Sequence, residues 1–406
     1  MKHLLFGSLI SQVLTGLTGL LLVYIYSPEV LGQYFLVITI ANFLTPLFTW
    51  RHELYLGSIE NDNEAQEVFY EITLRIIKST YLFFFALCVV NVLEVIGIFP
   101  FTFKYYFYSV PFISGIYSFS SLVNQNTIRL REYRKLALGS VSQNFTISSL
   151  QLLGGLIFAK TLTLVSSEII GRLIGAYVSL GKGYFKYRKI LVKNRKRFRN
   201  RDAIPLIGNT LDLACESILI FIITFLYGHT VLAYFVIANR ILGSATTVIG
   251  GTFAKYFQGE ITNLLQTRNA FFRNHTDILI KNFCILGIFT YLSLIFSVNF
   301  INNSGYLGSL HNYLHILNGI SYFFLINLLW SGLSNYLIPM KRFKTFMLMN
   351  LTRICFVGFG GVLVSLIGVS AYQGIIIIVG FYSFPNLIFF LYTLKDYLNF
   401  RLRVSD

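Results

Sequence analysis

The sequence predicts an all-α polytopic membrane protein of about twelve transmembrane helices. Three observations carry this. Of 406 residues, 55% are hydrophobic and only 12% are charged, whereas a soluble domain carries about 25% charged residues. The apolar residues gather in about twelve stretches, most near the roughly 20 residues that cross a bilayer core, joined by short polar segments. The 33 lysines and arginines lie almost wholly on alternate joining segments, with only Lys104 and Lys160 on the opposite set. The runs are continuously apolar, which means helices, because barrel strands would alternate polar and apolar residues.

Taken in order, the first span lies near residues 4–26. It is long enough to cross and no small-residue cleavage motif follows, so it reads as a retained helix and not a signal peptide. Span 2 lies near 33–56. The segment 60–78 is the acidic patch of the chain, with Glu60, Asp62, Glu64, Glu67 and Glu71, and reads as a solvated loop helix. Spans 3 to 6 lie near 79–99, 105–126, 137–158 and 162–181. A basic stretch follows, holding ten basic residues and no acid between Lys182 and Arg201. Spans 7 to 12 lie near 204–226, 230–253, 279–300, 313–336, 345–367 and 372–394.

The basic residues flanking spans 3, 5, 7, 9 and 11 and the C-terminal tail orient the chain. By the positive-inside rule these segments and both termini are cytoplasmic. The net charge of +16 is therefore charge kept in cytoplasmic loops; no basic helix or zinc pattern points to nucleic acid. The stretch 182–201 reads as a topology anchor that touches anionic lipids. It divides the chain into an N-terminal bundle, 1–203, and a C-terminal bundle, 204–406, each of six helices. Cys88, Cys215, Cys284 and Cys355 sit in four different spans and read as small buried hydrophobes.

The halves show a weak repeat. Tyr26-Ser-Pro-Glu-Val-Leu-Gly-Gln-Tyr34 joins spans 1 and 2, and Tyr227-Gly-His-Thr-Val-Leu-Ala-Tyr-Phe235 joins spans 7 and 8. Tyr, Val and Leu coincide, Gly32 faces Ala233, and Tyr34 faces Phe235. Two bundles related by an axis along the membrane normal would produce this match.

Charge in a bilayer is costly, so ionisable residues inside spans are functional candidates. The cations are Arg51, Arg172, Arg240 and Arg353. Arg240 sits about 13 Å along span 8 from its outer end, with Ser244 on the same face, a stripe that suggests a wet surface. A guanidinium keeps its charge and can fork onto a phosphate. Alternatively Arg240 pairs with Glu216 on span 7. Asn209, Asp212 and Glu216 share one face of span 7; the two acids can load H⁺ or Na⁺ as coupling ions, or neutralise Arg240 or Arg353. Glu168 and Arg172 have the spacing of an intrahelical ion pair, and Gly171 and Gly175 beside them admit a close neighbour helix. Arg51 can receive an anionic headgroup or snorkel to lipid phosphates. Gln12, Asn144, Gln151 and Asn327 lie on polar stripes that can line a cavity or join helices. The sequence has no Walker-A loop, H-E-x-x-H or G-x-S-x-G motif, so no cofactor or metal is expected.

The turn Ser27-Pro-Glu-Val-Leu-Gly-Gln-Tyr34, the close of span 2 at Trp50-Arg-His-Glu53, Phe225-Leu-Tyr-Gly228 and Ala238-Asn-Arg-Ile-Leu242 resemble motifs of the polysaccharide exporters of the multidrug/oligosaccharidyl-lipid/polysaccharide (MOP) superfamily. More narrowly, they are similar to those of Wzx-type O-antigen flippases. Leu136 to Phe158, with Gln143 and Gln151, also fits. Two departures exist. Tyr227 stands where the family usually has Phe, and the usual proline after the second-half arginine is replaced by Ser244 and Ala245, which bears on how span 8 bends. The resemblance implies two six-helix bundles forming a V around a central cavity. It implies transport of an undecaprenyl-pyrophosphate-linked oligosaccharide across the bacterial inner membrane by alternating access, with a polysaccharide polymerase and a chain-length regulator as partners. A drug or metabolite antiporter of the same superfamily is the alternative. An O-antigen polymerase-type enzyme fits less well, because the external loops are short and nearly free of charge.

Overall fold

The structure is a computed structural model. It describes the chain except residues 1, 54–55, 57–58, 60, 97–103, 131, 181–202, 252, 255, 258–260, 262–269, 304–310, 338–339, 341 and 404–406. Side chains at 2–6, 8, 95, 203–209, 245, 247, 270–275, 298, 300–303, 311, 335, 343 and 400–403 also lie outside the description. The basic stretch 182–201 and the side chain of Asn209 are therefore outside the described residues.

Among the described residues there are two compact units, Met1–Leu206 and Ile207–Asp406. Unit 1 holds α1 (Lys2–Ile25), α2 (Pro28–Thr49), α3 (Asp62–Val95), α4 (Val110–Arg129), α5 (Tyr133–Ile157) and α6 (Thr161–Leu180). Unit 2 holds most of α7 (Ala203–Ala245), then α8 (Ala270–Asn303), α9 (His311–Ser321), α10 (Phe324–Leu333), α11 (Phe343–Ile367) and α12 (Ala371–Arg403). Seven of these helices are by themselves long and apolar enough to cross a membrane, and α9 with α10 makes an eighth, bent by 57°. Helix α7 covers both expected spans 7 and 8, divided at Gly228, whose φ of 79° and ψ of −178° interrupt the helix. Only glycine adopts that backbone readily.

Several expected boundaries move. Span 2 was expected over 33–56, but α2 begins at Pro28, where Ser27 caps it by accepting a hydrogen bond from the Val30 amide, and proline suits a first turn. It ends at Thr49 because Trp50 and Arg51 are both left-handed, with φ of 53° and 57°. Arg51 and Glu53 thus lie beyond the helix, not within it. The acidic segment is the start of α3 itself. Asp62 and Glu64 sit in its first turn, favoured by the helix dipole, while Ala65, Phe69, Ile72 and Ile76 form a buried stripe against Leu122, Val123 and Ala176. Of the cysteines only Cys215 is buried; Cys355 is exposed.

Helices α5 and α6 pack closely because small residues meet between them. A β-carbon added at Gly171 would lie 2.3 Å from Ile147, and one at Gly139 would lie 1.9 Å from the Ser179 hydroxyl. Beyond Arg240, α7 passes into a π-helical turn at Thr246–Gly250; Gly250 there sits against Leu328 and Ser331 of α10. This turn lies in the region where the resemblance left the bend open. The repeat positions also agree in burial: Leu31 and Leu232 are fully buried, as are Tyr34 and Phe235 to within 2%.

Candidate functional site

Each unit sets an arginine beside a tyrosine ring and a carboxylate. In unit 1 the centre is Glu168 on α6, a buried acid. It accepts hydrogen bonds from Tyr117 Oη at 2.7 Å, Arg172 Nε at 3.0 Å and Tyr34 Oη at 3.2 Å. A buried carboxylate needs such partners. The Arg172 guanidinium lies 3.5 Å over the Tyr117 ring, and its side chain is 25% exposed. The ion pair with Glu168 runs through Nε. Gln151, fully buried on α5, donates from Nε2 to Tyr34 Oη at 3.1 Å, and its carbonyl accepts from Tyr26 Oη at 2.8 Å. Its Oε1 has no hydrogen-bond partner among the described residues.

The other polar candidates of unit 1 divide by role. Asn144 reaches the Ser11 carbonyl at 3.5 Å, beside the hydroxyl contacts Ser11–Ser140 at 3.2 Å and Thr18–Ser148 at 2.7 Å. These join α1 to α5 as inter-helix contacts. Gln12 is half-buried and forms no hydrogen bond among the described residues. Past the end of α2, Arg51 lies 3.6 Å from the buried Glu53. His52 Nδ1 meets Arg75 Nη1 at 2.7 Å. Burial first, and the Arg75 charge second, push the His52 pKa down to about 4. The imidazole is therefore neutral at ordinary pH and accepts from the guanidinium at Nδ1.

In unit 2 the centre is Arg353 on α11, buried. Its Nη1 donates to Asp212 at 2.6 Å and to Asn350 at 3.0 Å, and its Nη2 to Tyr382 Oη at 2.6 Å. The Asp212 side chain is 45% exposed. Both terminal nitrogens of Arg353 are thus occupied inside the protein. Glu216, one turn along α7 from Asp212, is exposed and forms no ion pair among the described residues. Arg240 is half-buried and also forms no ion pair among the described residues; the pairing with Glu216 is not formed. Ser244 turns back onto the Ile241 carbonyl at 2.8 Å. Asn327 bonds Ser383 at 3.2 Å and Asn386 at 2.8 Å, both buried, so it joins α10 to α12.

The structure therefore brings together Glu168, Arg172 and Gln151 in one network and Asp212 and Arg353 in another. It leaves Arg240 and Gln12 outside both, while Glu216 forms no ion pair among the described residues but lies within electrostatic reach of Asp212 and Arg353. Tyr34, Tyr117 and Tyr382 complete the two sites and were not singled out by sequence. Tyr34 alone carried a signal, as the last residue of the repeated turn.

Comparison with known proteins places the fold. No family model matches the chain, and no curated protein matches it. A solved structure described as lipid II flippase MurJ, in an inward closed conformation, is 15% identical with a TM-score of 0.66, over 100% of this chain and 91% of that one. An inward-facing multidrug resistance MATE transporter of the MOP superfamily is 14% identical with a TM-score of 0.62, over 99% and 93%. A MOP superfamily transporter from Pyrococcus furiosus is 13% identical with a TM-score of 0.59, over 100% and 95%. At these identities the likeness is one of fold: the chain has the fold of MOP superfamily transporters.

Proposed function

We propose that this chain is a flippase that moves an undecaprenyl-pyrophosphate-linked O-antigen or related polysaccharide repeat unit from the cytoplasmic to the periplasmic leaflet of the bacterial inner membrane. The observation that carries this reading is Arg240, a guanidinium within a membrane-crossing helix that forms no ion pair among the described residues. A permanent charge in that setting is costly unless a mobile anion or water serves it, and a diphosphate matches its forked geometry. Arg172, partly exposed over the Tyr117 ring and paired with Glu168 through Nε, is a second intramembrane cation. The fold is shared with a protein described as a lipid II flippase. Arg353 serves as a structural cation, because its fork is already filled.

Movement by alternating access and coupling to H⁺ or Na⁺ belong to the same proposal. Glu216, exposed and outside any ion pair among the described residues, is the carboxylate available for coupling, since Asp212 is held by Arg353. A polymerase and a chain-length regulator would take the delivered unit. A second reading, a drug or metabolite antiporter, is favoured by that same exposed acid, which suits a cationic cargo. One experiment separates them. In cells whose own gene is deleted, Arg240→Ala is expected to trap lipid-linked repeat units on the cytoplasmic leaflet and abolish surface polysaccharide, with the protein still in the membrane. Full export by that variant, or untouched export in the deletion strain, would reject the flippase reading.

A further inference from the structure

We propose that Asn42 of α2 is a subsite for the hydroxyl groups of a neutral sugar, an inference that rests on the flippase reading and concerns the part of the substrate that arginines do not hold. Asn42 lies on a membrane-crossing helix, Pro28–Thr49, about 21 Å along the axis from Pro28. It is exposed and forms no hydrogen bond or ion pair among the described residues. In other spans Gln151, Asn144, Asn327 and Asn386 each spend their amides on inter-helix bonds. Pro46 adds a second unmet group. It stands inside α2 and has no N–H, so the Asn42 carbonyl lacks the donor four residues on. The carbonyls near it are served by hydroxyls: Thr45 Oγ1 donates to Ala41 at 2.8 Å and Ser118 Oγ to Thr45 at 3.0 Å. One residue thus presents a free amide and a backbone carbonyl together. Hydrocarbon satisfies neither, so this stretch of α2 faces water or the polar groups of a ligand.

The chemistry of this pair of groups selects the ligand. It offers an amide donor and two carbonyl acceptors but no charge, and α2 has no charged residue between Glu29 and Arg51. A diphosphate needs cations, and a cationic cargo needs an acid. Neighbouring hydroxyls, which each donate and accept, match an amide beside a carbonyl. Unit 2 repeats the arrangement. Counted from Tyr26 and Tyr227, which open the repeated turns, Pro46 and Thr247 are equally far along, and Thr247 lies in the π turn Thr246–Gly250. Both helices therefore interrupt their hydrogen-bond ladder at one repeat position, and π turns recur at functional sites. Asn239 is exposed and likewise forms no bond among the described residues. It lies four residues before Gly243, the counterpart of Asn42, and so on the same helix face. Its neighbour in sequence is Arg240, the proposed phosphate contact.

The test uses the full chain in lipid nanodiscs and two probes: the lipid-linked repeat unit of the host cell, and undecaprenyl pyrophosphate without sugar. Binding is followed by microscale thermophoresis. Asn42→Leu removes no internal bond. It is expected to weaken the glycosylated probe about tenfold, or about 1.4 kcal/mol, and to leave the sugar-free probe unchanged, which also shows that the variant is folded. Pro46→Ala supplies the missing N–H to the Asn42 carbonyl and should weaken the glycosylated probe alone. Asn42→Asp keeps the acceptors and loses the donor, so it should weaken that probe too; a cation site would instead gain sodium-dependent binding. Asn42→Cys, in a chain lacking its native cysteines, should react with an impermeant methanethiosulfonate and be protected by the glycosylated probe. Undiminished binding in Asn42→Leu, equal losses for both probes in Asn42→Leu and Asn42→Asp, sodium-dependent binding in Asn42→Asp, or no reaction at position 42 would overturn the proposal. Its failure is separable from that of the flippase reading. Wild type that binds neither probe rejects the flippase reading and this inference with it. Wild type that binds both, with Asn42→Leu unaffected, rejects this inference alone.

Discussion

Arg172 and Arg353 each pair with a carboxylate and lie against a tyrosine ring, yet they keep different capacities. Arg172 spends Nε on Glu168; Arg353 spends both terminal nitrogens on Asp212, Asn350 and Tyr382. Removing Asp212 therefore strands a buried charge. Asp212→Ala is expected to destabilise unit 2 by about 2 kcal/mol, read as a lower unfolding temperature in detergent, and Arg353→Met in the same chain should recover most of it. The Tyr34 hydroxyl links Gln151 to Glu168, so Tyr34→Phe should cost about 1 kcal/mol. The reverse change in the repeat, Phe235→Tyr, would bury a hydroxyl and should also destabilise. His52 adds a pH dependence. Its pKa falls from 6.5 to about 4 in the folded chain, so the unfolded chain binds the extra proton first. The stability this neutral imidazole contributes is present above pH 6.5 and is lost as pH falls toward 4. Unfolding temperatures taken between these values should slope downward with acid, and His52→Gln should flatten the slope. The Glu168–Arg172 pair was legible in the sequence because its spacing is local. The Asp212–Arg353 contact, 141 residues apart, was one of several open pairings until the helices were placed.

At the scale of elements, hydropathy located the spans well but not their ends or breaks. The end of α2 is set by two left-handed residues, Trp50 and Arg51, which no hydropathy sum detects. The bend between α9 and α10 and the π turn after Arg240, on Thr246–Gly250, fall inside spans that hydropathy reads as continuous. The turn at Gly228 was visible as a short joint, and its backbone explains the glycine. Gly228→Ala should cost about 2 kcal/mol through backbone strain alone, because a β-carbon there meets nothing within 4 Å. Thermal unfolding checks this, and a neutral result would mean the joint relaxes to an ordinary turn.

For the whole molecule, the charge pattern makes a topological prediction. A single cysteine introduced at Lys193 in a chain lacking its native cysteines should react with an impermeant maleimide only from the cytoplasmic side. One introduced at Lys160 should react only from the opposite side; reaction of Lys193→Cys from outside would invert the topology.

The amino-acid sequence alone determined that this is a polytopic helical membrane protein, and roughly where each span lies. That follows because the bilayer imposes a local rule: every run of about 20 residues must bury its own backbone polar groups and present hydrocarbon. It also narrowed the ionisable groups to a short set, since charge inside such runs is rare. Which of those groups pair with one another was decided only by tertiary structure. Rotation and depth of one helix against another, not spacing along the chain, filled the fork of Arg353 and left Arg240 without an ion pair among the described residues.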